Sequence, residues 1–112
     1  MVEETIVTDE EKQKKYEEFQ TLQRQMQLLA LQRQQIQMEL LTVDNSLSEL
    51  EKTKGKIYKA AGMLLVEKSK EEVKKDLDET KETLKMRQEV ISKQETRIRN
   101  RLESLSKELS LT

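Results

Sequence analysis

The chain has 112 residues, of which 21 are Lys or Arg and 22 are Asp or Glu; 38% is charged, only 34% is apolar, and the formal net charge is −1. An ordinary globular domain is roughly 45–50% apolar, so this inventory of side chains cannot fill the core of a compact one. Cys and His are both absent, which excludes disulfides, thiolate nucleophiles, sulfur-ligated metals and the commonest general base.

The first eleven residues carry five acids and no base, opening Met1-Val2-Glu3-Glu4, the reverse of a basic signal-peptide start. No apolar run approaches the ~18 residues of a membrane span. The expectation is a cytoplasmic chain with no membrane contact. Thr8 and Glu11 form a capping box, in which the hydroxyl accepts from a first-turn amide and the carboxylate reaches back. Asp9, Glu10 and Glu11 also stand where the helix dipole favours anions.

From Phe19, alternating steps of three and four reach Leu22, Met26, Leu29, Arg33, Ile36, Leu40, Val43, Leu47 and Leu50. Nine of these ten positions are apolar, with a mean spacing of 3.5 residues, the period of a coiled-coil seam. That periodicity argues against disorder, the first rival for so polar a composition. Between Gln20 and Gln37 eight of eighteen residues are Gln, a good helix former suited to a solvated flank. Helix 1 is predicted at about residues 9–52, which at 1.5 Å per residue is roughly 65 Å. Met26 belongs to the seam on spacing, and Met38 offers an adaptable surface.

The centre breaks the pattern. Gly55 marks the end of helix 1, and residues 56–68 place β-branched or aromatic residues on both sides of Ala61-Gly62, Ile57 and Tyr58 before it and Val66 after it. Gly62 supplies the positive φ of a tight turn, so strands at about 56–60 and 63–68 form a hairpin; a short continuation of helix 1 is the rival. A lone two-stranded ribbon is marginal in water and presents unpaired edges. Ile57, Met63, Leu64, Leu65 and Val66 would lie uncovered on it. Edge-to-edge assembly of hairpins from several chains resolves both problems. On this reading the chain is a subunit. Residues 52–75 carry eight Lys and three Glu. With overall charge balanced, no Arg and a single aromatic, Tyr58, these lysines suit guarded strand edges better than a nucleic-acid surface.

Ser69 with Glu72 is a second capping box, so helix 2 is expected at about 70–110. Leu77, Leu84, Ile91, Ile98 and Leu105 recur every seven residues. The companion row reads as Val73, Thr80, Arg87 and Gln94, then Leu102 and Leu109 after a slip. A short connection between near-equal helices makes them antiparallel neighbours. Pairing numbers that sum to about 123–124 sets Leu40 against Leu84 and Phe19 against Leu105. It also sets Arg33 on Ile91, Arg87 on Ile36 and Gln94 on Leu29.

Helix, hairpin, helix, with Ile57-Tyr58-Lys59, Gly62 and Leu64-Leu65-Val66 at the centre, resembles the archaeal-like β-type subunit of prefoldin over about Tyr16 to Leu109. The resemblance implies a mainly α fold, a single 1–112 domain in which an antiparallel two-helix coiled coil carries a central β-hairpin. It implies that the hairpin, through Ile57, Tyr58, Gly62, Met63, Leu64, Leu65 and Val66, joins a β-barrel body in a hexamer of two α-type and four β-type subunits. The implied activity is that of an ATP-independent holdase, which binds non-native clients at the coiled-coil tips and passes them to a group II chaperonin. No cofactor is implied.

The residues meet that implication at the helix ends. Stepping back from Phe19 gives Lys15 and Lys12, so the seam runs out. Phe19, Leu22, Leu105 and Leu109 are then the last apolar layers, with Leu102 just inside them and Ile6, Val7, Tyr16 and Leu111 beside or beyond. Several weak tips around one cavity bind by avidity. For Phe19, Leu22 and Leu105 the bland alternative is that they close the coil, and for Ile6 and Val7 that they form a tail without a role. A structural tether binding a folded partner remains the other reading of the heptads, although the hairpin has no evident purpose in one. The carboxylates read as solvated helix charges, and no glycine loop to cradle phosphate is present, so an enzyme is not expected.

Overall fold

The computed structural model describes residues 8–110. Over them the chain forms α1 (Asp9–Lys52), β1 (Ile57–Ala61), β2 (Leu64–Lys68) and α2 (Lys70–Ser110). It is mostly helical, two long helices joined by an antiparallel two-stranded hairpin. No helix among the described residues is long and apolar enough to cross a membrane. Ile6, Val7 and Leu111 lie outside the described residues.

Both helix starts are set by short polar side chains. Thr8 Oγ1 accepts from the Glu11 amide at 3.2 Å, and Ser69 Oγ accepts from the Glu72 amide at 3.1 Å. Each satisfies one of the orphan donors of a first turn. The end of α1 is closed differently. The Thr53 hydroxyl donates to the Glu49 carbonyl at 2.7 Å, the Thr53 amide donates to the Leu50 carbonyl at 3.2 Å, and Lys70 Nζ donates to the Glu51 carbonyl at 3.1 Å. The first residue of α2 thereby caps the last turn of α1, where a cation is favoured by the dipole.

The chain divides into two compact units, Arg33–Glu89 and Met1–Gln32 with Val90–Thr112. In the unit Arg33–Glu89, the α1 seam buries Ile36, Val43 and Leu50, with Leu40 and Leu47 half-buried; α2 contributes buried Leu84 and half-buried Val73 and Leu77. Lys81 Nζ reaches Asp44 Oδ1 at 2.7 Å. Its stem lies along the seam while its head leaves it. Asp44 with Lys81, and Glu51 with Lys70, show the helix segments of this unit running antiparallel.

In the other unit, α2 buries Ile91, Glu95 and Leu105, with Ile98, Leu102 and Leu109 half-buried. On the α1 side Phe19, Leu22, Met26 and Leu29 are all half-buried and none is fully covered. Lys15 Nζ meets Glu108 Oε2 at 3.1 Å, joining residue numbers that sum to 123.

The companion row of α2 differs from the sequence expectation. Thr80, Arg87 and Gln94 are exposed, while Lys81, Gln88 and Glu95 turn inward. With Leu102 and Leu109 these form an unbroken repeat of seven, and the slip falls earlier, between Leu77 and Lys81. Both candidate rows are polar, so residue type alone does not choose between them. The choice follows from Leu102 and Leu109, whose burial is favourable and whose row, extended backward by sevens, passes through Glu95. Arg87 and Gln94 are therefore exposed flank residues and do not occupy seam positions opposite Ile36 and Leu29 as expected. The turn also shifts. Gly62 (φ 61°) and Met63 form it, and no non-glycine residue has positive φ. Gly first and a negative-φ residue second is the type II′ pattern that matches strand twist, so Met63 leaves β2 for the turn.

Leu84→Ala is expected to lower the unfolding free energy by about 2–5 kcal/mol, the range for emptying a buried leucine site. Arg87→Ala should change it by less than about 0.5 kcal/mol, as for other exposed positions. Urea denaturation followed by circular dichroism distinguishes the two, and equal effects would return Arg87 to the seam.

Candidate functional site

The hairpin is the first surface to consider, and it lies wholly within the unit Arg33–Glu89. Its register pairs Ile57 with Lys68, Tyr58 with Glu67, Lys59 with Val66, Ala60 with Leu65 and Ala61 with Leu64. Alternation puts Ile57, Lys59, Ala61, Leu64, Val66 and Lys68 on one face, and Tyr58, Ala60, Leu65 and Glu67 on the other. The first face turns toward α2, because Lys59 Nζ lies 3.8 Å from Asp76 Oδ2. Ile57 and Lys68 are half-buried accordingly. Covering stops there. Leu65 is 73% exposed, Leu64 and Tyr58 are also exposed, and Met63 at the turn is 103% exposed. Apolar groups thus stand open on both faces of a ribbon whose two outer edges have no strand partner among the described residues.

The helix ends form the second surface. Arg101 donates through Nε to Glu18 Oε1 at 2.8 Å and through Nη2 to Oε2 at 3.1 Å. This two-pronged pair spans the helices beside the last seam layers. Its hydrogen bonds, outweighing desolvation, hold the Glu18 carboxyl below its ordinary value of 4.5 and raise the Arg101 guanidinium. The charges of Arg101 and Lys15 add in the same direction at Glu18. Among the expected contact residues, Tyr16 is exposed, Phe19, Leu22, Leu102 and Leu109 are half-buried, and Leu105 is 0% exposed. Leu105 closes the seam and presents no surface of its own.

A third surface went unread in the sequence. In the unit formed by Met1–Gln32 and Val90–Thr112, a shallow groove of about 370 Å³ has Leu28, Leu29 and Ile98 as its apolar lining. Gln25, Gln32, Gln94 and Arg97 stand around it. A good helix former on a solvated flank was the whole of what composition said about these glutamines. The heptad positions of Gln25, Gln32 and Gln94, all on the flank that holds Glu18 and Arg101, are the signal that could have found it. Met38 is exposed and Met26 half-buried in the seam. Among the described residues no group of three or more carboxylates gathers to hold a metal ion.

The family profile described as "Prefoldin subunit" matches residues 13–111. The fold is similar to the crystal structure of the prefoldin beta subunit from Thermococcus strain KS-1. The identity is 27%, the match covers 95% of this chain and 94% of that one, and the TM-score is 0.83. Comparison with curated proteins finds no match.

Because the folded Glu18 carboxyl takes up its proton less readily than the unfolded one, its stabilisation is complete above the unfolded value near 4.5 and is lost as pH falls through the folded one. Carbon-13 NMR is expected to show Glu18 titrating below 4.5, with Arg101→Ala returning it toward that value. Acidification should lower amide protection over residues 15–22, and Glu18→Gln should remove most of that dependence. A Glu18 midpoint unmoved by Arg101→Ala would eliminate the pair as its cause.

Proposed function

The chain belongs to the prefoldin subunit family as a β-type, chaperone-type member, and we propose that it is an ATP-independent holdase subunit that grips non-native polypeptides at the free ends of its helices. The observation that carries the assembly half of this reading is the uncovered hairpin. Burying a leucine-sized side chain is worth about 1.5–3 kcal/mol, and Leu64, Leu65 and Met63 all remain open to water in the isolated chain. Strand edges and both faces are satisfied together when hairpins of several subunits share one β-barrel. The family supports assembly with other prefoldin subunits. The composition proposed is two α-type subunits with four β-type copies, in the cytoplasm.

Client holding is supported by incomplete closure at the helix ends. Tyr16 is open, Phe19, Leu22 and Leu109 are half-covered, and two ion pairs stand beside them without sealing them. Small apolar steps on a charged surface give weak, unselective contacts. Four such ends in one assembly bind by avidity, and weak contacts also permit release to a group II chaperonin.

Native mass spectrometry with an α-type partner is expected to give a hexamer. Leu64→Lys with Leu65→Lys should prevent its formation without unfolding the helices. Trimming residues 1–19 and 105–112 should leave the hexamer intact and remove most of its suppression of aggregation of a denatured protein, with no nucleotide present. A simple dimer of the parent chain would point to a tether, and holding undiminished by trimming would reject the helix ends as the gripping surface.

A further inference from the structure

We propose that the ribbon of β1 and β2 is carried by α2 and not by α1, and that Ser69, Glu72 and Asp76 are the positioning residues that aim it at neighbouring subunits. The aim at neighbours rests on the assembly reading above. The joint itself lies within the unit Arg33–Glu89 and stands without that reading.

The two ends of the ribbon are joined to the helices differently. β2 ends at Lys68 and α2 begins at Lys70, so Ser69 is the whole connection. Its side chain and its carbonyl are both committed to α2. The Oγ accepts from the Glu72 amide at 3.1 Å, and the carbonyl accepts from the Val73 amide at 3.1 Å. An N-cap residue bound in this way takes its backbone conformation from the helix it starts, and the strand leaves in the direction which that backbone allows. The link from α1 runs over residues 53–56. Thr53 bonds back to Leu50 and Glu49, but Lys54, Gly55 and Lys56 make no hydrogen bond or ion pair among the described residues. Gly55 has φ 114°, and a Cβ there would meet nothing within 4 Å. Glycine adopts such a conformation at no steric cost, so this link is slack where the other is tight.

Two ion pairs then choose the angle. Lys59 and Lys68 share the ribbon face turned toward α2, and Glu72 and Asp76 are neighbours one turn apart on that helix. Lys68 Nζ lies 3.7 Å from Glu72 Oε2 and Lys59 Nζ 3.8 Å from Asp76 Oδ2, so each strand sets one cation against a single row of carboxylates. Exposed ion pairs add little to stability. Here they act on a ribbon whose freedom the one-residue joint has already narrowed, and they select among the few orientations left. No hydrogen bond or ion pair joins α1 to the ribbon among the described residues. Polar contacts of α1 at this level run to α2 instead, from the Glu51 carbonyl to Lys70 and from Asp44 to Lys81. Ribbon and α1 therefore both take their places from α2. In an assembly built through the ribbons, the direction in which each coil projects is set at Ser69, and a change of length between Lys52 and Ile57 is absorbed.

The chain contains no cysteine, so nitroxides attached at Met63→Cys on the turn and Lys85→Cys on α2 label two defined places. The swing of the ribbon in the free chain is then the width of their distance distribution in pulsed electron paramagnetic resonance. A pair of glycines inserted between Lys68 and Ser69 is expected to widen that distribution about twofold, and the same insertion after Gly55 should leave it near the parent width. Glu72→Ala with Asp76→Ala leaves the ribbon and both connections intact, and should widen the distribution by about half. Circular dichroism should show unchanged helicity in all of these proteins. In native mass spectrometry with an α-type partner, the Lys68 insertion should cut the hexamer yield severalfold, while the Gly55 insertion should assemble as the parent does. Equal widening by the two insertions, equal loss of hexamer from both, or a width unmoved by removing the two carboxylates overturns the proposal. A parent chain that forms no hexamer rejects the assembly reading and the aim at neighbours with it, and the distance widths still decide which helix carries the ribbon.

Discussion

An apolar seam one side chain deep is the interaction on which everything else depends. Ile36, Val43 and Leu50 on α1 and Leu84, Ile91 and Leu105 on α2 are the buried apolar side chains among the described residues. A globular core is sealed by layers on every side. A seam is sealed only by the residues that flank it, so the chemistry of those flanks decides how apolar the surface is at each level. Where opposite charges meet across the helices, as at Lys81–Asp44 and Glu18–Arg101, aliphatic stems lie over the seam and cover it. Where neutral amides stand instead, they neither attract nor reach one another, and the seam shows through. More exposed and better covered stretches of the seam thus differ by a few flank residues.

The hairpin follows from the same shortage of cover. A ribbon of two strands has no body to lie against, and α2 shields only part of one face, where Lys59 approaches Asp76. Lys70, capping the last turn of α1, ties the base of the hairpin so that the strands leave the helices at a defined place. What remains open is apolar on both faces and unpaired at both edges. In a monomer such a ribbon invites uncontrolled strand addition, and Lys56, Lys59 and Lys68 along it disfavour pairing with an arbitrary partner while tolerating a designated one. Membership of the prefoldin subunit family implies assembly with other subunits, and on the reading proposed above that assembly completes the ribbon.

How far this could be read from sequence varied with how much each residue type says about its place. The α1 seam was legible from Phe19 to Leu50 because apolar residues at a period of 3.5 have one interpretation, and each of those positions is at least half-buried. The caps at Thr8 and Ser69 were legible for the same reason, since a short hydroxyl before an acidic turn has little other use. The companion row of α2 was not. Thr80, Arg87 and Gln94 compete with Lys81, Gln88 and Glu95, and polar residues in both rows leave the decision to packing. Leu105 was placed on the helix-end surface as an apolar residue of the last layers, yet it is the most completely buried of all, because α2 has further turns beyond it. The groove escaped notice because glutamine reports helix propensity in sequence and reveals its flank role only when two helices are set together.

Glu95 shows what the weak seam receives in exchange for lost burial. It is 4% exposed, and among the described residues no buried polar side-chain atom lacks a partner, so its carboxylate is satisfied where an apolar residue would have packed more tightly. Polar residues at seam positions commonly trade stability for a unique register. Here that trade has a clear physical rationale. A surface made of partial exposures depends on register more than a deep pocket does, because it has no walls of its own. With a net charge of only −1, solubility cannot come from mutual repulsion between copies, and it rests on the interspersed charges that keep each open patch small and apart from the next. On the proposed holdase reading, binding strength comes from the number of patches brought together, which returns the burden to the hairpin.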